Sequence, residues 1–212
     1  MTNRNPQQPK STGARPRRAW ASIVALVTLA LTQVGYAEAQ TPPPVPPGLE
    51  VEAPDTLFLL GRGVGTQNYE CQPVGSLGRV DWVLFTPQAT LFDDQGGQLT
   101  THFFSPNPNP ADLNAIRATW QDSVNTSAVW AKAVAASTDA QFVARGAVAW
   151  VKLQVVGTKA GPAGGNTFSG ATFVQRLNTV GGLAPLTGCS IPTDIGKRQF
   201  VPYTADYFFY RR

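Results

Sequence analysis

Few side chains in this 212-residue sequence are suited to chemistry, and they are scattered. His102 is the only histidine, so a Ser-His-Asp relay would have to use it, and no G-x-S-x-G elbow offers a nucleophile. It stands one residue before Phe103 in a strand-like stretch, the usual setting of a structural histidine whose ring nitrogens are held by neighbours. The acids form no evident pair of the kind that glycoside hydrolysis needs. Asp93 and Asp94 share one short turn, and two carboxylates fall short of the roughly six to eight oxygens that calcium takes. Hairpin turn chemistry explains both. Gly61-Arg62-Gly63-Val64-Gly65 is spaced G-x-G-x-G rather than G-x-G-x-x-G, and strand-like residues follow it where a pyrophosphate would need a helix N-terminus. It reads as a glycine turn between two strands. Cys71, Cys189 and His102 fit no zinc spacing. No metal and no cofactor is expected.

Arg176 is harder to absorb. With Gln175 it interrupts a stretch, residues 171–179, that is otherwise dense in β-branched and aromatic side chains. A guanidinium inside a sheet must be paired with a carboxylate or several carbonyls, or be turned into a cleft. The expected partner is Asp206, on the last strand. Trp82, Trp120, Trp130, Trp150 and the tyrosines of that strand have faces that suit sugar stacking, and suit an ordinary core equally well.

These residues must be carried by a chain that begins with a leader. Five bases in residues 1–18, an apolar run over 19–34 and Ala37-Glu38-Ala39 follow the layout of a secretory signal peptide cut after Ala39. Of 17 basic and 13 acidic residues, five bases and Glu38 lie in that leader. The mature part therefore holds twelve of each, and the basic pI belongs to the leader. Without a basic patch, nucleic acid is not an expected partner, and no stable membrane anchor is expected after cleavage. The expected location is secreted or periplasmic. Two cysteines in an exported chain predict one disulfide, Cys71–Cys189.

Residues 40–47, QTPPPVPP, form a proline-rich spacer, and a single domain is expected over 48–212. Strands are expected at 56–62, 66–71, 80–85, 89–92, 98–104, 118–121, 127–135, 147–156, 171–179 and 203–210. Asn109-Pro110-Ala111-Asp112 reads as a helix start, for one short helix over 110–116. No helix is long enough for a parallel crossover. The expected fold is all-β, an antiparallel sandwich or a partly open barrel, and periodicity does not choose between them.

Three ordered segments carry a resemblance: Gly65-Thr66-Gln67-Asn68-Tyr69-Glu70-Cys71; Ala89-Thr90-Leu91-Phe92-Asp93 with Thr101-His102-Phe103; and residues 173–182 with Val201-Pro202-Tyr203-Thr204-Ala205-Asp206-Tyr207. Together they resemble the exported bacterial and fungal proteins grouped as domain of unknown function 3455. The resemblance spans about residues 45–211 and implies no activity and no catalytic residue. Some fungal relatives carry a malate dehydrogenase label, which the missing dinucleotide fingerprint and βαβ pattern argue against here. The expected function is a non-enzymatic extracytoplasmic binding or surface-interaction module, whose unidentified ligand is of a kind such as a carbohydrate or a cell-surface component. The alternatives are a hydrolase-like enzyme using His102 and nearby acids, or a structural envelope protein. Gln67, Tyr69, His102, Trp120 and Arg176 are the candidate binding residues; their convergence on one open cleft with a shifted histidine pKa would favour an enzyme, and their dispersal into the core a scaffold with a surface site elsewhere.

Overall fold

Period-two alternation of large and small side chains carries the chain through eight antiparallel strands in a computed structural model that describes residues 41–212 except 113. They are β1 (Thr56–Val74), β2 (Arg79–Phe92), β3 (Gln98–Pro106), β4 (Ile116–Asp122), β5 (Ala128–Ser137), β6 (Trp150–Lys159), β7 (Ala171–Gly181) and β8 (Arg198–Arg211). Each pairs with the next, and β8 returns to β1 from Thr56↔Arg211 to Glu70↔Arg198. The sheet thus closes on itself and has no free edge. The fold is all-β and antiparallel, and it is a closed barrel rather than a sandwich or a partly open barrel. The expected leader, residues 1–39, lies outside the described residues.

Three expectations about elements are corrected. Gly61, Gly63 and Gly65 make no turn; they lie inside the single long strand β1. A Cβ on Gly61 would sit 2.8 Å from Leu91 Cδ2, one on Gly63 2.7 Å from the Tyr207 ring, and one on Gly65 would collide with the Gln88 carbonyl. The glycines let neighbouring strands and the Tyr207 ring press against the β1 backbone. The expected helix over 110–116 is only a 3-10 turn, Pro110–Asp112. Asn109 does cap it, its Oδ1 accepting from the Ala111 N–H at 3.1 Å, but β4 begins at Ile116 and leaves no room for more. The expected pair of strands at 80–85 and 89–92 is likewise one strand, β2.

Alternation sorts the side chains into two layers. Leu91, Trp120, Val129, Leu153, Phe168, Val174, Tyr207 and Phe209 belong to the interior cluster. Trp150, Leu177, Phe208 and Tyr210 belong to another, over which Leu49, Val45 and Val51 of the N-terminal segment pack. Tyr207 and Phe209 therefore serve the inside, Phe208 and Tyr210 the outside, and the aromatic run of β8 is buried on both faces. At one end Phe58 and Phe168 close on Phe209 and fill the interior. At the other end the Cys71–Cys189 disulfide, Tyr69 Oη donating to the Gly182 carbonyl at 2.7 Å and Trp82 Nε1 donating to the Thr187 carbonyl at 3.0 Å pin the 182–197 segment. The disulfide expectation holds. Outward positions of β1 and β8 carry Arg62, Val64, Thr66, Glu70, Thr204 and Asp206, with Arg62 Nη1 2.7 Å from Asp206 Oδ2.

Candidate functional site

The half of the barrel nearer the disulfide is not filled. A cavity of about 480 Å³ lies against Gln67, His102, Trp120, Arg176 and Tyr207, with an apolar remainder that includes Leu84, Ala131, Val151 and Leu153. Exposed Ile116 and Lys132 border it. Its size falls in the range of about 300–1,000 Å³ typical of small-molecule sites. The β2–β3 ladder explains part of its opening. That ladder stops at Ala89↔His102, where Pro87 has no N–H to continue it, and the Phe104 N–H turns instead to the Thr86 hydroxyl at 2.9 Å. Pro87 and Phe104 both line the cavity.

His102 forms one wall. Its ring lies flat on Trp120, with centroids 4.3 Å apart and planes 6° apart, and Tyr207 tilts against it at 5.2 Å. Nδ1–H donates to the Thr119 carbonyl at 2.9 Å, which leaves Nε2 as the acceptor nitrogen. Burial pushes its pKa down to about 3; the Thr119 bond opposes that and the Arg176 charge reinforces it. The imidazole is neutral at any working pH. Burial also raises the Tyr69, Tyr203 and Tyr207 hydroxyls, against the pull of Arg176. Tyr203 and Tyr207 share a hydrogen bond of 2.9 Å between their hydroxyls.

Arg176 is the charge at the centre. Its expected pairing with Asp206 does not occur. In the β7–β8 register Arg176 faces Tyr207, whereas Asp206 faces Leu177, so a one-residue step along the strand puts the two side chains on opposite faces. Asp206 is taken outside by Arg62 and by Asn178, whose Nδ2 donates to it at 2.8 Å. Arg176 Nη2 donates to the Ala149 carbonyl at 2.9 Å, and no carboxylate among the described residues forms an ion pair with it. Its charge reaches Tyr69, His102, Tyr203 and Tyr207. Gln175, the neighbour that seemed equally out of place, points the other way. It donates to the Leu49 carbonyl and accepts from the Tyr210 hydroxyl, both at 2.5 Å, and so fastens the N-terminal segment to the barrel.

Four of the five candidate residues, Gln67, His102, Trp120 and Arg176, line one cavity. Tyr69 does not line it; it packs with Cys71 and Trp82 beside the disulfide. The tryptophans do not form a platform. Trp120 is inside, Trp82 lies by the disulfide, Trp150 is in the outer layer, and Trp130 Nε1 donates to the Ser105 hydroxyl at 2.9 Å. Asp93 is a turn residue, its Oδ1 accepting from the Gln95 and Gly97 N–H groups at 3.0 and 2.7 Å. Among the described residues no three metal-ligating side chains cluster. Sequence reasoning missed Tyr207, Leu153, Val151 and Ala131 as lining residues. The alternation of Ala149, Val151, Leu153 and Val155 marked an inward face, but nothing in it tells a filled interior from a hollow one.

Three buried donors on this wall have no hydrogen-bond partner among the described residues: Gln67 Nε2, Trp120 Nε1 and Arg176 Nε. The Gln67 amide and the Arg176 guanidinium lie near enough to Tyr203 and Tyr207 to stabilise charge on them, yet the two nitrogens complete no bond of sound geometry. Among the described residues no Asp or Glu lines the cavity.

The chain belongs to the family described as protein of unknown function (DUF3455), whose model matches residues 53–211 and so takes in the whole barrel. No curated protein and no solved structure matches the chain.

Proposed function

We propose that this protein is a non-enzymatic extracytoplasmic binding module that holds a small molecule with an apolar body inside its barrel. The observation that carries the reading is the cavity of about 480 Å³, walled mostly by aliphatic and aromatic side chains and bordered by exposed Ile116. An apolar body gains about 25 cal/mol for each Å² it withdraws from water, whereas the hydroxyls of a sugar would be left unpaired against Leu84, Val151 and Leu153. A carbohydrate therefore fits this lumen less well than a hydrocarbon-rich ligand.

The chemistry of the wall favours binding over catalysis. A general acid or base works best with a pKa near the operating pH, and here the imidazole is held at about 3 while the phenols are raised. A hydrolase using His102 would also need an acid to orient it, and Nδ1 is committed to the Thr119 carbonyl. The location rests on the leader pattern of residues 1–39 and on the single disulfide.

Fluorescence titration of the mature chain with the uncharged dye N-phenyl-1-naphthylamine tests the reading. It predicts saturable one-to-one binding, weakened about tenfold or more by Ala131→Phe, which places a ring in the cavity. Near-ultraviolet circular dichroism checks that the variant keeps its fold. Dye uptake that never saturates, or is the same in a folded Ala131→Phe, contradicts a site in the lumen.

A further inference from the structure

The ligand's polar end follows from the donors left waiting in the wall. Granting the lumen reading above, we infer that the ligand is an amphipathic anion whose head, a carboxylate, seats against Arg176 with the Gln67 amide and the Trp120 indole as flanking donors. Three N–H groups on three different strands, β1, β4 and β7, border one cavity and lack acceptors: Gln67 Nε2, Trp120 Nε1 and Arg176 Nε. Gln67 and Trp120 are each 1% exposed, so bulk solvent has little access to them. Leaving such donors unpaired is costly, and a ligand that brings acceptors recovers the cost on binding.

The electrostatics choose the sign. Arg176 enters the lumen with the Ala149 carbonyl and the Tyr207 hydroxyl beside it and no carboxylate paired with it among the described residues. Arg117 also borders the cavity, but its charge is already met by Asp112 through two bonds of 2.7 Å. Lys132 adds a second cation at the border, and no carboxylate among the described residues lies in the lining. An ammonium head would meet Arg176 with nothing to neutralise either charge. An uncharged head would leave Arg176 as it is. A carboxylate has acceptors for the guanidinium and for both flanking donors, and charge-assisted bonds of this kind are the strong ones. The aliphatic wall of Leu84, Val151 and Leu153 then takes a hydrocarbon tail. His102, a neutral ring stacked on Trp120, adds no charge of its own to the site.

Displacement of bound N-phenyl-1-naphthylamine by decanoate and by decanol, matched in chain length, separates the head from the tail. At pH 7.5 decanoate should displace the dye from the mature protein about tenfold or more better than decanol does. Arg176→Gln should narrow that difference to about twofold, and Gln67→Leu should reduce it in part. Decanoate no better than decanol overturns the anionic head and leaves the lumen site standing. A preference that survives intact in folded Arg176→Gln also overturns it, because the head then sits elsewhere. If the dye binds but neither chain displaces it, the inference fails; if the dye itself does not bind, the lumen reading fails first. Should Arg176→Gln not fold, the wild-type comparison and Gln67→Leu still decide.

Discussion

His102 and Arg176 show how burial sets the chemistry a side chain is left with. The imidazole gains its bond to Thr119 and its stack on Trp120, but enclosure removes the water that would support a proton on it. Its pKa is held at about 3 in the folded chain, against an ordinary value of 6.5 when unfolded. Above pH 6.5 neither state binds the proton, and this group leaves stability unchanged. As pH falls below that value the unfolded chain takes up a proton the folded chain refuses. Stability should then decline at up to about 1.4 kcal/mol per pH unit. Asp112 and Asp194, held low by their bonds to Arg117 and Lys197, act only below the ordinary carboxylate value of 3.8. Urea midpoints between about pH 6 and 4.5 should therefore drop in the wild type and stay nearly level in His102→Gln. Equal slopes in the two proteins would show that the ring titrates freely.

Strand β1 carries more of the architecture than any other element. It pairs along most of its length with both β2 and β8, and its three alternating glycines let the wall thin where Leu91, Tyr207 and Ala89 come close. Gly65→Ala drives a methyl group into the Gln88 carbonyl and should cost about 3 kcal/mol, at the upper end of overpacking losses. Val64→Ala, one residue away on the exposed face, should stay within about 0.5 kcal/mol. Similar denaturant midpoints for the two variants would mean that Gly65 is not tightly packed. The glycines were visible in the sequence, and their spacing invited a turn because closely spaced glycines usually make one. Only the neighbouring strands, which arrive from residues 88–91 and 205–207, reveal the close approach. Arg176 was misread for a related reason. Its strand was legible, but which face met Asp206 depended on a register that no local pattern encodes. Arg176 was legible as a polar residue out of place in its strand, whereas the hollow beside it was not.

The described residues form a barrel packed solid at one end, hollow towards the other and stapled there by Cys71–Cys189. Closure escaped the sequence because it depends on β1 meeting β8, the two strands farthest apart along the chain. The disulfide did not escape, since two cysteines allow one bridge. That bridge spans 118 residues, and removing it by Cys71→Ala with Cys189→Ala should cost about 2–5 kcal/mol. Non-reducing peptide mapping of the exported protein should find the 71–189 link in a chain that starts at Gln40; free thiols or a retained leader would contradict the compartment. The central claim, that the hollow is a ligand site, is tested most directly by the indole N–H signals of the mature protein in a ¹⁵N-¹H spectrum. Four tryptophans remain, and each indole sits in a different place: Trp82 bonded to Thr187, Trp130 bonded to Ser105, Trp150 in the outer layer and Trp120 in the lumen. Saturation with N-phenyl-1-naphthylamine should shift the Trp120 signal and leave the Trp82, Trp130 and Trp150 signals in place. A Trp120 signal that does not move while the dye binds would place the ligand somewhere other than the barrel.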